Sequence, residues 1–304
     1  MHYRELGKTG VRISEVGLGC NRLGQSYATD DHWISLVRRA ADLGVTVFDT
    51  AEAYGWGQSE EILGKALGNR DDVLVATKMC RVQETGEQDY SAARMMETVE
   101  GSLQRLQRDV IDIYQLHSPR RASMARDDWA AGMQRLKEEG KIRFTAVAVS
   151  TEEDAMWLMA QDLVEVLQIT YNIFHTAPQS GLFQMAEAKG VGLLCRMPLA
   201  RGVLTGKFQP GDEVPEGHRA LLDGDRMVEN IRRAEDLRPL GESYEGGMTR
   251  LALQFSLTPT AISAIIPGAR TFAQLEENVA ASNGMGLPLS VRAEVAAISS
   301  RWEA

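Results

Sequence analysis

Eight short runs rich in β-branched, leucine and aromatic residues punctuate the chain, at 15–19, 45–49, 73–78, 111–117, 142–150, 164–170, 191–196 and 262–267. Each has the length of a buried strand, and most stretches between them carry apolar residues at helical spacing. The helical set is Ile34, Val37, Ala40 and Ala41 in 29–43, and Met95, Val99, Leu103 and Leu106 in 92–106. The segment 129–140 runs from Trp129 to Gly140, a residue suited to closing a helix. No Pro/Ser-rich linker interrupts the alternation over 304 residues. The pattern predicts an α/β fold, a closed (β/α)8 barrel built by residues 1–304 as one domain. An open doubly wound sheet is the alternative. Against it, Gly17-Leu18-Gly19-Cys20-Asn21 lacks the third glycine and the following helix of a dinucleotide fingerprint.

Three segments stand outside the rhythm. Gly7-Lys8-Thr9-Gly10 predicts a hairpin ahead of the barrel. Residues 209–247, rich in Gly, Asp, Glu and Arg, form a long insertion after the seventh strand, with an extra helix expected around 227–237 and a substrate lid as its role. The tail, 290–304, has Val291, Val295, Ala296 and Ile298 at helical spacing and is expected to pack outside the barrel, across its lower face or rim.

A net charge of −9 disfavours nucleic acid and anionic membranes as partners. No apolar run reaches the roughly 18–20 residues of a membrane span, and the N-terminus has no signal core, so a cytoplasmic protein is expected. Cys20, Cys80 and Cys195 are odd in number, widely spaced and free of CxxC spacing, which predicts buried thiols and no metal site. Nothing in the sequence reports oligomeric state.

Strand parity supplies the chemistry. Val45, Val47 and Asp49 share one face of their run, Leu74, Ala76 and Lys78 share one of theirs, and Ile113, Gln115 and His117 do the same. In a barrel these three strands are neighbours about 4.8 Å apart, so Asp49, Lys78 and His117 converge at one rim. Tyr54 follows Asp49 in a glycine-bracketed loop and hangs over them. A phenol is a weak acid, but an ammonium beside it favours its ionised form. Lys78 can supply that charge, Asp49 can hold Lys78, and His117 can orient a substrate oxygen. With no nucleophile elbow and no metal-ligand spacing, reducing power has to come from an organic cofactor. Taken alone, Asp49 and Lys78 also fit an ordinary rim salt bridge.

Six motifs, in order and at the right spacing, resemble the aldo-keto reductases: Phe48-Asp-Thr-Ala-Glu-Ala-Tyr-Gly, Ala76-Thr-Lys-Met, Leu116-His-Ser-Pro, Leu167-Gln-Ile-Thr-Tyr-Asn, Pro198-Leu-Ala-Arg-Gly-Val-Leu-Thr-Gly-Lys and Ile266-Pro-Gly-Ala-Arg. The resemblance implies NADP(H)-dependent interconversion of an aldehyde or ketone with its alcohol. Tyr54 is then the general acid and base, with Asp49, Lys78 and His117 as partners.

It further implies Ser150 and Gln168 at the nicotinamide carboxamide, and their inward parity with Ala148 and Val166 agrees. Arg196 stands where many members stack an aromatic ring on the nicotinamide; its guanidinium is planar and can also stack. Thr151 replaces a frequent asparagine. Leu199, Arg201, Gly202, Leu204 and Lys207 match the loop that crosses the pyrophosphate. Gly268 precedes a helix N-terminus suited to phosphate. Arg270 and Thr271 are implied at the 2′-phosphate, Gln274 at the ribose-phosphate, and Glu277 and Asn278 at the adenine. NADP(H) is expected in preference to NAD(H). Arg270 also fits a solvated surface arginine, and Ser150 a helix cap. His175 and His218 have no evident partners in the sequence. The alternative function is a nucleotide-binding auxiliary or sensor on the same fold with little catalysis.

Overall fold

A computed structural model describes residues 1–302. Strands β1 (Tyr3–Glu5) and β2 (Arg12–Ser14) form an antiparallel hairpin. Eight parallel strands follow: β3 (Leu18–Gly19), β4 (Val47–Asp49), β5 (Leu74–Met79), β6 (Ile111–His117), β7 (Ile142–Ala148), β8 (Val166–Thr170), β9 (Gly192–Arg196) and β10 (Ile262–Ile265). Each pairs with the next in chain order. Bridges from Val16 to Ile265 and from Gly19 to Gly268 join the first strand to the last. The sheet therefore closes on itself as a (β/α)8 barrel with no free edge.

The helices start and stop where local chemistry directs. Helix α1 (Asp30–Asp42) begins at Thr29, whose side chain accepts from the His32 N–H, and carries Asp30 and Asp31 in its first turn. Its buried face is Trp33, Leu36, Val37 and Ala40. Ile34 and Ala41 are only partly buried, because Trp33 and Leu36 offer more apolar area to the barrel and set the helix rotation. Helices α2 (Gln58–Leu67), α3 (Ala92–Leu106), α4 (Arg121–Arg126) and α5 (Trp129–Glu138) follow. Along α3 the face Met95, Val99, Leu103 and Leu106 is buried as the spacing predicts. Gly140, at φ 71°, closes the turn after α5 in the left-handed region that glycine tolerates. Helices α6 (Glu152–Ala160) and α7 (Leu182–Lys189) complete the regular series.

Inside the barrel the lower layers are apolar: Val47, Leu74, Ala76, Ile113, Ala146, Val166, Leu194 and Ala264. Leu6 and Ile13 of the hairpin join this cluster and are fully buried, so the hairpin stoppers the lower mouth. Burying two such side chains contributes roughly 1.5–3 kcal/mol each. Gly7 (φ 55°) passes so close to the backbone that a Cβ would lie 2.4 Å from the Gly190 carbonyl oxygen. Val45 departs from its expected parity. The strand starts only at Val47, and Val45 packs in the outer core between sheet and helices.

The 209–247 insertion is more ordered than a loop. Helix α8 (Arg226–Ser243) is longer than the expected 227–237 stretch and is followed by α9 (Gly247–Leu257), then α10 (Phe272–Val279) and α11 (Leu289–Ser299). Residues Val203, Leu204, Phe208, Ile231, Leu237 and Val295 bury one another in a second core. Hence the tail packs at the rim, against α8, where the Trp302 indole N–H donates to Asp236 at 2.9 Å and its ring meets Phe174. Among the described residues no helix is long and apolar enough to cross a membrane.

Candidate active site

At the upper end of the barrel the interior turns polar. Asp49, last in β4, is 3 % exposed, and Lys78, near the end of β5, is 0 % exposed. The Lys78 ammonium donates to both Asp49 oxygens at 2.8 Å and to the Thr50 carbonyl at 2.5 Å. Gln115 and Gln168 donate to Asp49 Oδ1 at 3.1 and 2.6 Å. A buried ion pair costs desolvation that is repaid only when such extra hydrogen bonds complete it. For Lys78, burial is the largest single influence and lowers the pKa, but the charge and hydrogen bond of Asp49, with Tyr54 and Cys80, together outweigh it and the net is upward. The ammonium is thereby kept charged in the interior.

Tyr54 sits over this pair. Gly55, Trp56 and Gly57 all have positive φ (62°, 49° and 96°), and this tight arch delivers the chain into α2. The Lys78 ammonium is 5.2 Å from the Tyr54 ring centroid. His117, last in β6, meets Tyr54 edge to face, with ring centroids 5.7 Å apart. Its Nδ1 is 3.0 Å from the Cys80 sulfur. The three side chains that parity brings to one pole and Tyr54 from the loop above are therefore one contiguous group.

Arg196 enters from β9. Its guanidinium donates to the Val149 carbonyl at 2.9 Å, the Thr170 hydroxyl at 3.2 Å and the Ser118 hydroxyl at 3.5 Å, so it spans the outlets of β6, β7 and β8. Burial lowers its pKa, while Tyr54 and Asp49 oppose that. Ser150 lies two residues beyond the end of its strand. Strand β7 ends at Ala148, parity lapses, and Ser150 is exposed beyond it. Thr151, not Ser150, caps α6 by accepting from the Asp154 N–H. Gln168 turns its amide down to Asp49 and Gln115, so it belongs to the charged cluster.

A second group lies along the rim. Arg201 (φ 56°) and Gly202 (φ 92°) make a left-handed kink after β9. A Cβ on Gly202 would stand 3.2 Å from the Lys207 ammonium. Arg201 pairs with Asp223, tying this kink to the insertion. Leu204 is fully buried in the second core and Leu199 partly so, which makes both supports for the loop backbone. Lys207 Nζ is 2.8 Å from His218 Nε2. Burial, then the charges of Arg270 and Arg22, lower the Lys207 pKa. Burial, then Lys207, Arg270 and Arg22, bring His218 down to about 4.

Lys207, Arg270 and Arg22 are cations crowded against one another beside the N-terminus of α10, a setting that fits phosphate. Thr271 caps α10 by accepting from the Gln274 N–H, and the Gln274 side chain accepts from the Arg270 N–H at 2.9 Å. Gln274 is exposed at this N-terminus, where its side chain also supports the turn before α10. Asn278 is buried and donates to the Gly268 carbonyl at 3.2 Å, while Glu277 is exposed. The Arg270 guanidinium lies 5.4 Å from the Tyr27 ring centroid.

Comparison with known proteins agrees with the geometry. A sequence profile described as the Aldo/keto reductase family matches residues 15–299. The chain belongs to this family. The aldo-keto reductase YhdN of Bacillus subtilis is 33 % identical over 290 residues, covering 91 % of this chain and 87 % of that protein. The L-galactose dehydrogenase of Arabidopsis thaliana is 31 % identical over 310 residues, covering 97 % and 93 %. The holo structure of aldo-keto reductase AKR11C1 from Bacillus halodurans superposes with a TM-score of 0.83 at 28 % identity, covering 98 % of this chain and 96 % of that one. This aldo/keto reductase is accordingly an oxidoreductase of carbonyl compounds that works with a nicotinamide cofactor.

Within this family member, three site residues escape sequence reading. Gln115 looks like a core position on a buried strand, yet its amide completes the Asp49 shell. Arg22 and His218 come from loops nearly two hundred residues apart in sequence and meet only through the closed barrel. Arg22 also donates to Gln25 at 2.9 Å. His175, without a partner in the sequence, lies 2.7 Å from Glu152.

Proposed function

We propose that the chain interconverts an aldehyde or ketone with its alcohol using NADP(H), with Tyr54 as general acid in reduction and base in oxidation. The observation that carries this reading is the buried Lys78 ammonium 5.2 Å from the Tyr54 ring centroid, pinned by both oxygens of Asp49. A protein that only binds a nucleotide has no use for a buried cation beneath a phenol.

In reduction, the Tyr54 hydroxyl gives its proton to the carbonyl oxygen, and the phenolate left behind is stabilised by Lys78. His117 donates a hydrogen bond to the same oxygen and aims it at the phenol. Asp49, held by Gln115 and Gln168, fixes Lys78 and keeps it charged. The nicotinamide, when bound, supplies the hydride that joins the carbonyl carbon, and one hydride plus one proton balance the alcohol formed. Oxidation runs the same steps in reverse. Lys207, Arg270 and Arg22, with the α10 N-terminus, would hold the phosphates, and Arg270 selects NADP(H) through the 2′-phosphate. Ser150 and Arg196 would meet the nicotinamide, with Gln168 beside it at the edge of the Asp49 cluster. The match across 15–299 supports one domain; the net charge of −9 weighs against nucleic acid and for a small-molecule substrate, and the cytoplasm is the proposed location.

The test is NADPH oxidation with 4-nitrobenzaldehyde, followed at the nicotinamide absorbance band. Tyr54→Phe is expected to abolish turnover and leave NADPH affinity, read by cofactor fluorescence, within a few-fold. Retention of most activity by this variant overturns the acid assignment. Tight NADPH binding by the unaltered chain without turnover across a broad carbonyl panel overturns the reductase and favours an auxiliary binder.

A further inference from the structure

Cys80 follows the last residue of β5 and is 2 % exposed. Its sulfur lies 3.0 Å from His117 Nδ1, across the seam between β5 and β6. The main chain of His117 is fixed from the other side, where the Tyr90 hydroxyl donates to its carbonyl at 3.0 Å. A neutral imidazole carries one N–H, so whatever occupies Nδ1 decides what Nε2 presents. Three arrangements share this S···N distance. In one, a thiol S–H donates to Nδ1 and leaves the proton on Nε2. In the second, a thiolate faces an imidazolium. In the third, the S–H turns to the Lys78 carbonyl and the sulfur accepts from Nδ1–H.

The surroundings favour the first arrangement. Burial, reinforced by Glu52 and Glu60 and opposed by Lys78 and the Ala53 N–H, pushes the Cys80 thiol up to about 12. Its alternative acceptor, the Lys78 carbonyl, is farther away at 3.5 Å.

We propose that Cys80 is a positioning residue: its S–H donates to His117 Nδ1, which holds the ring neutral with its proton on Nε2, the nitrogen opposite Cys80. The consequence is a fixed donor for the substrate oxygen. A ring free to exchange tautomers would present a lone pair to that oxygen part of the time. The proposal rests on the reading of His117 as the group that meets the substrate oxygen.

The test is 15N NMR of histidine-labelled protein, with the His117 signals assigned by their loss in His117→Asn. The expected result is a neutral ring protonated at Nε2 in the unaltered chain, a mixture of tautomers in Cys80→Ala, and recovery of the single tautomer in Cys80→Ser. In parallel, Cys80→Ala should lose about three- to tenfold in kcat, the scale of one hydrogen bond, with NADPH affinity unchanged, and Cys80→Ser should regain most of it. An Nδ1-protonated ring or an imidazolium at neutral pH in the unaltered chain overturns the proposal, and so does an identical tautomer in Cys80→Ala. The NMR result decides the role of Cys80 even if no carbonyl is ever reduced; that failure would instead remove the reductase reading.

Discussion

Replacing Lys78 by methionine isolates the electrostatic core of the mechanism, because the substitution keeps most of the volume and removes only the charge and its hydrogen bonds. With the ammonium 5.2 Å from the Tyr54 ring centroid, and an effective dielectric of about 20, a full charge on the phenol is stabilised by about 3 kcal/mol. If the phenolate is largely formed in the transition state, kcat should fall roughly two hundredfold. Asp49 is left buried with only its two amide donors, and loss of one partner of a buried pair costs about 3–5 kcal/mol of stability. Gln115 and Gln168 should hold the loss to the lower end of that range.

The pH sign is fixed by the raised Lys78 pKa. Its contribution to stability is complete below the ordinary lysine value of 10.5 and is lost only as pH rises through the higher folded value. The stability gap between the two proteins should therefore be flat at neutral pH and shrink in strong alkali. Single-turnover NADPH oxidation gives the rate, and urea unfolding monitored by tryptophan fluorescence gives the stability. A Lys78→Met protein that is folded, binds NADPH and retains a fifth or more of kcat refutes the argument that the ammonium tunes the phenol.

Three further outcomes are expected. Arg270→Ala should weaken NADPH by about tenfold or more, the scale of a charge-assisted hydrogen bond, and NADH by less than twofold; equal losses in titrations would remove Arg270 from the 2′-phosphate. His218, held near 4 beside Lys207, is neutral at pH 7, and an arriving phosphate should raise it again. NADPH affinity should then strengthen as pH falls from about 6.5 toward 4, with proton uptake in calorimetry that His218→Ala abolishes. Over the same window the cofactor-free chain should lose stability, because the unfolded histidine takes up the proton first. Arg196→Tyr removes a cation that disfavours the positively charged oxidised nicotinamide, so the ratio of NADP+ to NADPH dissociation constants should fall about fivefold. An unchanged ratio places Arg196 away from the ring.

Parity is legible wherever a strand is long enough to enforce it. Asp49, Lys78 and His117 could be brought together from sequence because β4, β5 and β6 continue to their outlets with period two intact. The same argument does not reach Ser150, since β7 stops two residues earlier, and beyond a strand end nothing in the sequence dictates direction. The helical phase of α1 shows a different limit. Ile34 and Ala41 satisfy the spacing as well as Trp33 and Leu36 do, and the choice falls to the face whose apolar area packs best on the barrel wall. The order in 209–247 was hidden because α8 is held by partners far along the chain, Val295 and Val203 among them, rather than by a strong apolar stripe of its own.

The hairpin stopper assigns the two poles of the cylinder to separate tasks. Leu6 and Ile13 bear on cohesion, packing with the apolar lower layers rather than with the polar group above them. Sequence drift in the first fourteen residues can therefore raise or lower melting temperature without touching turnover, and drift in the rim loops can alter what is turned over at little expense to folding. Such a molecule can acquire new substrates while its foundation is tuned independently to the temperature at which its host lives.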